Sequence, residues 1–239
     1  GDDSFGKTYQ EQAKNYRKWY IEQYRIVNDE LGRTSNAYFK EALIKNYIYK
    51  GPVLEWYMRI KCRIDGYYDL WDRLVPRNAT ITDIGCGYGQ LCFMLGLLSP
   101  DRKILGVDYD SDKIEIAQKA FLSKKCNVQF MAADMRSFEI PPSDAILFND
   151  SLHYVDAKSQ QQILCKAAAS LNIGGSIVVR DGDAGQTEGH EKIKSTEVWS
   201  TEIIKFNKTS EELTFVSAEW MKDFAEKNNL DIKIRRCDK

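Results

Sequence analysis

Seven apolar or aromatic residues, Tyr9, Ala13, Tyr16, Tyr20, Tyr24, Val27 and Leu31, recur at steps of three and four along residues 8–31. That period gathers them on one face of a helix, and Gly32 marks its end. Thr34, Ser35 and Asn36 offer a cap for a second helix, whose inward face is Tyr38, Phe39, Ala42, Leu43 and Tyr47. Pro52 suits the first turn of a third helix, running through Trp56, Ile60 and Ile64 to about Leu74. Pro76, Arg77 and Asn78 then break the chain. Residues 1–75 therefore read as a helical cap, with no repeat or low-complexity linker dividing it from residues 76–239.

From Thr80 the pattern changes. Apolar, β-branched runs of strand length at 80–84, 103–107, 127–131, 144–148, 176–180 and 230–236 alternate with helical patterns. The helices are expected at 91–98, about 112–124 (capped by Asp110 or Ser111), 156–171 and 217–229. Such alternation builds βαβ units. The expected core is α/β, a doubly wound, mostly parallel sheet. Residues 182–216 open on a polar, glycine-containing stretch, DGDAGQTEGHEK, which reads as a loop or a lid over substrate.

Composition narrows the partners. Of 239 residues 43% are hydrophobic, enough for a sizeable core, and a net charge of −1 provides no field to recruit nucleic acid. The six cysteines include no C-x-x-C pair, which argues against a zinc site or a disulfide framework and for a reduced, cytoplasmic setting. No metal is expected. No apolar run reaches the ~18–20 residues a membrane span needs.

The chemistry concentrates in Thr80–Gln90, TITDIGCGYGQ, which reads strand, glycine turn, helix. The glycines follow G-x-G-x-G, not the G-x-G-x-x-G of dinucleotide-binding turns, and Asp83 precedes the first by two residues. Ligands of open α/β sheets bind beyond the carboxyl ends of the strands. The polar residues there are Asp83, Asp108, Asp134, Asn149 and Ser151. Asp108, nineteen residues past Gly89, is placed to accept from both hydroxyls of a ribose, and Asp134 from an adenine amino group.

This segment resembles the first motif of class I S-adenosylmethionine (SAM) dependent methyltransferases, and the likeness extends from Thr80 to about Asp183. The resemblance implies a Rossmann-like fold and SAM as cofactor. Asp83, Gly85, Gly87 and Gly89 match its glycine motif, with Cys86 inside it. Asp108 matches the ribose acid, followed by Tyr109. Asp134 with Met135 matches the adenine-contacting pair, and Asn149 to Leu152 the segment after the fourth strand, near the methionine part of the cofactor. The wider pattern, from LEWYMRIKCRIDGYYDLWDRLVPR through DIGCGYG to RDGDAG, also resembles methyltransferase domains fused to acyltransferases in bacterial pigment and lipid clusters. That likeness implies a lipid-like or aryl-polyenoic acceptor.

Two other patterns lead elsewhere. Tyr154 and Lys158 fit the Y-x-x-x-K pair of short-chain dehydrogenases, but about 65 residues past Gly89 and across a helix cap. Asn149-Asp150-Ser151-Leu152 lacks the prolines of the N/D-P-P-Y/F motif of nucleobase and glutamine-amide methyltransferases. Tyr57 and Arg59, just upstream of the glycine strand, are expected to reach over the cofactor. His153 is the candidate base, if the acceptor must lose a proton; a packed or hydrogen-bonded histidine is the alternative, and His190 reads as solvated. Asp108→Ala is expected to weaken SAM most, Asp108→Asn less, both leaving the fold intact. Because such enzymes usually end in a strand pair, the chain is expected to be a piece of a longer protein lacking its last strand. The rivals to a methyltransferase are a non-catalytic nucleotide-binding domain of a larger assembly and a nicotinamide-dependent oxidoreductase.

Overall fold

The structure is a computed structural model describing residues 4–31, 36–64, 68–182 and 213–235. Among them five strands form one sheet: β1 (Thr80–Ile84), β2 (Lys103–Asp108), β3 (Val128–Ala132), β4 (Ser143–Asn149) and β5 (Leu171–Arg180). Their order is β3-β2-β1-β4-β5, with every pairing parallel. The N-terminal part holds α1 (Ser4–Leu31), α2 (Asn36–Lys45), α3 (Pro52–Ile64) and α4 (Tyr68–Leu74). Helices α5 (Gln90–Leu98), α6 (Ser111–Lys119) and α7 (Ala157–Ala169) connect the strands, and α8 (Ala218–Lys227) follows. This is a doubly wound α/β fold of Rossmann-like type.

Strand order reverses between β1 and β4, because the chain builds outward from β1 to β3 and then crosses back. That switch point is where the crevice of such a sheet opens. The sheet is covered on both faces, as a parallel sheet requires. Along β4, Ala145 and Leu147 enter one core, while Ile146 and Phe148 enter the other. The first core also contains Leu43, Tyr47, Leu54, Met58 and Trp71 together with Leu91 to Leu95 of α5. The helical cap and one face of the sheet therefore share a single core.

The third helix, expected from Pro52 to about Leu74, is described as two helical stretches, α3 and α4, on either side of residues 65–67, which lie outside the described residues. Three sequence expectations change. The helix expected to reach residue 124 ends at Lys119 and continues as a 3-10 turn, Phe121–Lys124. The aromatic face of α1 is only partly buried: Tyr20 donates its hydroxyl to the Ile48 carbonyl at 2.8 Å, but Tyr16 is 57% exposed. Residues 230–235 are irregular rather than a strand. Leu230, Ile232 and Ile234 alternate correctly, but a strand is stabilised by the ladder it joins, and 230–235 join none of the described strands. The loop expected at 182–216, and His190 with it, lies almost wholly outside the described residues.

Candidate functional site

The carboxyl end of β1 passes directly into the glycine loop. The amides of Gly85 and Cys86 both donate to the Val107 carbonyl, at 2.7 and 3.0 Å, which seats the loop on β2. A Cβ at Gly85 would lie 2.3 Å from the Ser151 Cβ, and one at Gly89 would lie 2.4 Å from the Phe130 ring. These two glycines are fixed by close approach inside the protein. Gly87 differs: a Cβ there would meet nothing within 4 Å, so this glycine borders open space at the strand ends.

Asp108 ends β2 beside it. Its Oδ2 accepts from the Gly87 amide at 2.8 Å and its Oδ1 from the Asp110 amide at 2.9 Å. Each carboxylate oxygen accepts more than one hydrogen bond, so capacity remains for two hydroxyl donors. Asp110 in turn caps α6, accepting from the Asp112 and Lys113 amides. Tyr109 is 48% exposed at the same strand end. Met135 lies against Gly85, its Cε 3.6 Å from the position a Cβ would take.

Asp83 is buried, with Oδ2 accepting from the Cys92 thiol at 3.1 Å and Oδ1 without a hydrogen-bond partner. Burial, with the nearby Asp108 charge adding, pushes its carboxyl up to about 7. Burial likewise pushes the Cys86 thiol up, so it is a poor nucleophile; its Sγ turns back on the Gly87 carbonyl at 3.7 Å.

The remaining candidates are placed less as expected. Both oxygens of Asp134 accept from Arg136, at 2.7 to 3.1 Å, and those bonds hold its carboxyl below the usual range. An adenine amino group would compete with that pair. The Ser151 hydroxyl donates to the Ile84 carbonyl at 2.7 Å, joining the ends of β1 and β4 from within. Asn149 accepts from Arg180 at 3.2 Å, and Arg180 also pairs with Asp150.

Tyr57 does meet the loop, its ring edge-on to Tyr88 at 6.0 Å. Arg59 does not accompany it; it pairs with Glu41 and Glu55 on the outer side of α3. Residues two apart on a helix do not share a face, so the expectation that both reach the cofactor is corrected. His153 is 1% exposed, its Nδ1 2.5 Å from Asp181 Oδ1 and its backbone amide 3.2 Å from Asp181 Oδ2. Phe215 lies over the imidazole at 5.1 Å. The ring is enclosed rather than presented at the strand ends. Asp181, Arg136 and Arg180 were not singled out by sequence reading. The signals for Asp181 were an acid following the fifth strand and its place in the RDGDAG stretch.

The family described as "Methyltransferase domain" matches residues 81–175. A curated relative, the carboxy-S-adenosyl-L-methionine synthase of Campylobacter jejuni subsp. doylei, is 25% identical over 113 residues, 47% of this chain and 48% of the relative. The chain thus spans about half the length of that relative. An O-methyltransferase family protein from Burkholderia thailandensis shares the fold, with a TM-score of 0.57 and 18% identity over 84% of this chain and 56% of that one. So does human N-acetylserotonin methyltransferase in complex with SAM, with a TM-score of 0.52 and 17% identity over 86% and 51%. Residues 81–175 thus match a methyltransferase domain, the curated relatives are SAM-related enzymes, and the described residues share the α/β fold of solved methyltransferases.

Proposed function

We propose that the chain binds SAM at the ends of β1 and β2 and transfers its methyl group to a small-molecule or lipid-like acceptor. The observation that carries this reading is the joint placement of Gly87 and Asp108. The glycine borders open space, and its amide is held by the carboxylate beside it. A ribose fits that chemistry: two neighbouring hydroxyls donate, and a carboxylate with spare lone pairs accepts.

When bound, SAM supplies a sulfonium methyl already activated for displacement. The chain's own residues then have to position and enclose. Asp108 and the Gly85–Gly89 turn orient the nucleoside, and the segment after β4 borders the reacting end. Holding an acceptor at ~3–3.5 Å in line can account for much of the acceleration. An acceptor that is already nucleophilic needs no base. His153 enters this reading as a residue that ties the segment after β4 to Asp181.

Titration calorimetry with SAM and NAD, followed by labelled SAM against lipid-like, phenolic and amine acceptors, tests the reading. SAM should bind, NAD should not, and label should pass to one acceptor class. Preference for NAD would overturn it, and SAM binding without transfer would favour a non-catalytic domain. The name of the curated relatives supports a second reading, in which the sulfonium methyl of SAM loses a proton and its carbon bonds to CO₂ released from a carboxylic-acid co-substrate, which takes up the proton. Mass spectrometry of the nucleoside recovered with such a co-substrate present separates the two, because only the second yields a SAM heavier by CO₂.

A further inference from the structure

The Tyr88–Gly89 peptide unit lies within the glycine turn, and Gly89, on its C-terminal side, sits at φ +77°. A glycine there lacks the Cβ that would resist a flip of the unit. Here both of its polar groups are engaged. The Gly89 amide donates to the Cys86 carbonyl at 2.9 Å, a bond internal to the turn. The Tyr88 carbonyl accepts from the Tyr47 hydroxyl at 2.7 Å, a bond that arrives from the segment following α2.

Tyr47 is well placed to hold it. Its side chain is fully buried, and its ring meets those of Tyr88 and Phe93 edge-on, each at 6.3 Å. Burial pushes its phenol well above the ordinary value, so the hydroxyl keeps its proton and donates. A second grip comes from α4, where the Tyr68 hydroxyl accepts from Gln90, the residue that opens α5 directly after the turn. The cap therefore clamps the turn on both sides of Gly89.

We infer that Tyr47 is a positioning residue for cofactor binding, fixing the plane of the Tyr88–Gly89 peptide so that the turn keeps the shape the nucleoside needs. The inference rests on the SAM reading above. It also implies its converse, because coupling between two sites is reciprocal: SAM must steady the segment that carries Tyr47.

Tyr49 provides the control. Its hydroxyl donates to the Ile116 carbonyl at 2.9 Å, a bond of the same kind from the same segment, but to α6 rather than to the turn. In the full chain, Tyr47→Phe should raise the calorimetric Kd for SAM about 5- to 10-fold, whereas Tyr49→Phe should leave it within about 2-fold. Both variants should lower the melting temperature. SAM should slow hydrogen exchange across residues 46–50 in the parent, and less so in Tyr47→Phe. If the parent binds SAM and Tyr47→Phe binds it equally well, or both variants weaken it alike, the Tyr47 inference falls and the SAM reading stands. A parent that takes up no SAM overturns both.

Discussion

Asp108 holds the Gly87 amide with one oxygen and the Asp110 amide with the other, so this side chain shapes the pocket before any ligand arrives. It is 7% exposed, and its loss would release the turn as well as a ligand contact. That alters the sequence expectation that asparagine would be the milder change and that the fold would be indifferent. An asparagine offers one oxygen and one NH₂ group, so one of the two backbone amides would face another donor. Asp108→Asn is therefore expected to weaken SAM nearly as much as Asp108→Ala, each by at least ~10-fold. Asp110→Ala, which removes a helix cap, should instead cost about 1 kcal/mol of stability with little change in affinity. Titration and thermal unfolding of the three variants decide the matter. Wild-type affinity in Asp108→Asn would show that the carboxylate does not hold the ribose.

At the scale of elements, Arg102 is the joint between cap and sheet. Its side chain is fully buried just ahead of β2. It pairs with Asp72 at 2.7 Å and donates to the carbonyls of Asp72, Val75, Pro76 and Leu95 at 2.7 to 3.2 Å. Those carbonyls lie in or just past the last turns of α4 and α5; at the end of α4 the guanidinium satisfies groups the helix leaves unpaired, and at α5 it adds a second donor to the Leu95 carbonyl, which also accepts from the Ser99 amide. A lysine cannot reproduce this, since it is a point charge with three donors rather than a planar fork with five. Arg102→Met should cost ~1–3 kcal/mol because it removes the buried donor from the Val75 carbonyl, while Asp72 keeps its pair with Arg77 at 3.1 Å, and Arg102→Lys should recover little of that. Urea unfolding measures both; a loss under ~1 kcal/mol would mean that water already replaces these bonds.

For the whole molecule, the shared core of cap and sheet means that the Asp83 carboxyl is buried by the entire assembly. Its pKa rises from 3.8 to about 7 on folding, so between those values the folded state holds a proton that the unfolded chain has lost. Stability must therefore fall as pH rises across that window, by ~4 kcal/mol at most from this group. Asp83→Asn, which is always neutral, should flatten the decline, leaving stability near pH 4 almost unchanged and raising it at pH 8. Thermal melts across pH 4–8 check this. A parallel decline in parent and variant would assign the effect to other groups.

Periodicity determined the alternation of strands and helices, and glycine spacing the turn, because these depend on neighbours within a few residues; the parallel sheet follows from that alternation. The spacing from Gly89 to Asp108 likewise located the acid at the end of β2, since short βα units leave little freedom in where the next strand ends. Residues 230–235 differ for a related reason: Leu230, Ile232 and Ile234 alternate as a strand does, but alternation states which face is apolar and not which strand it joins, and they join none of the described strands. What the side chains touch lay beyond the sequence. Tyr47 and Tyr88 are forty-one residues apart, His153 and Asp181 twenty-eight, and Asp72 and Arg102 thirty. No local pattern records which of many tyrosines, acids or arginines will meet. Tertiary structure decided those pairs, because each hydrogen bond forms only once separate elements are packed to within about 3 Å of one another.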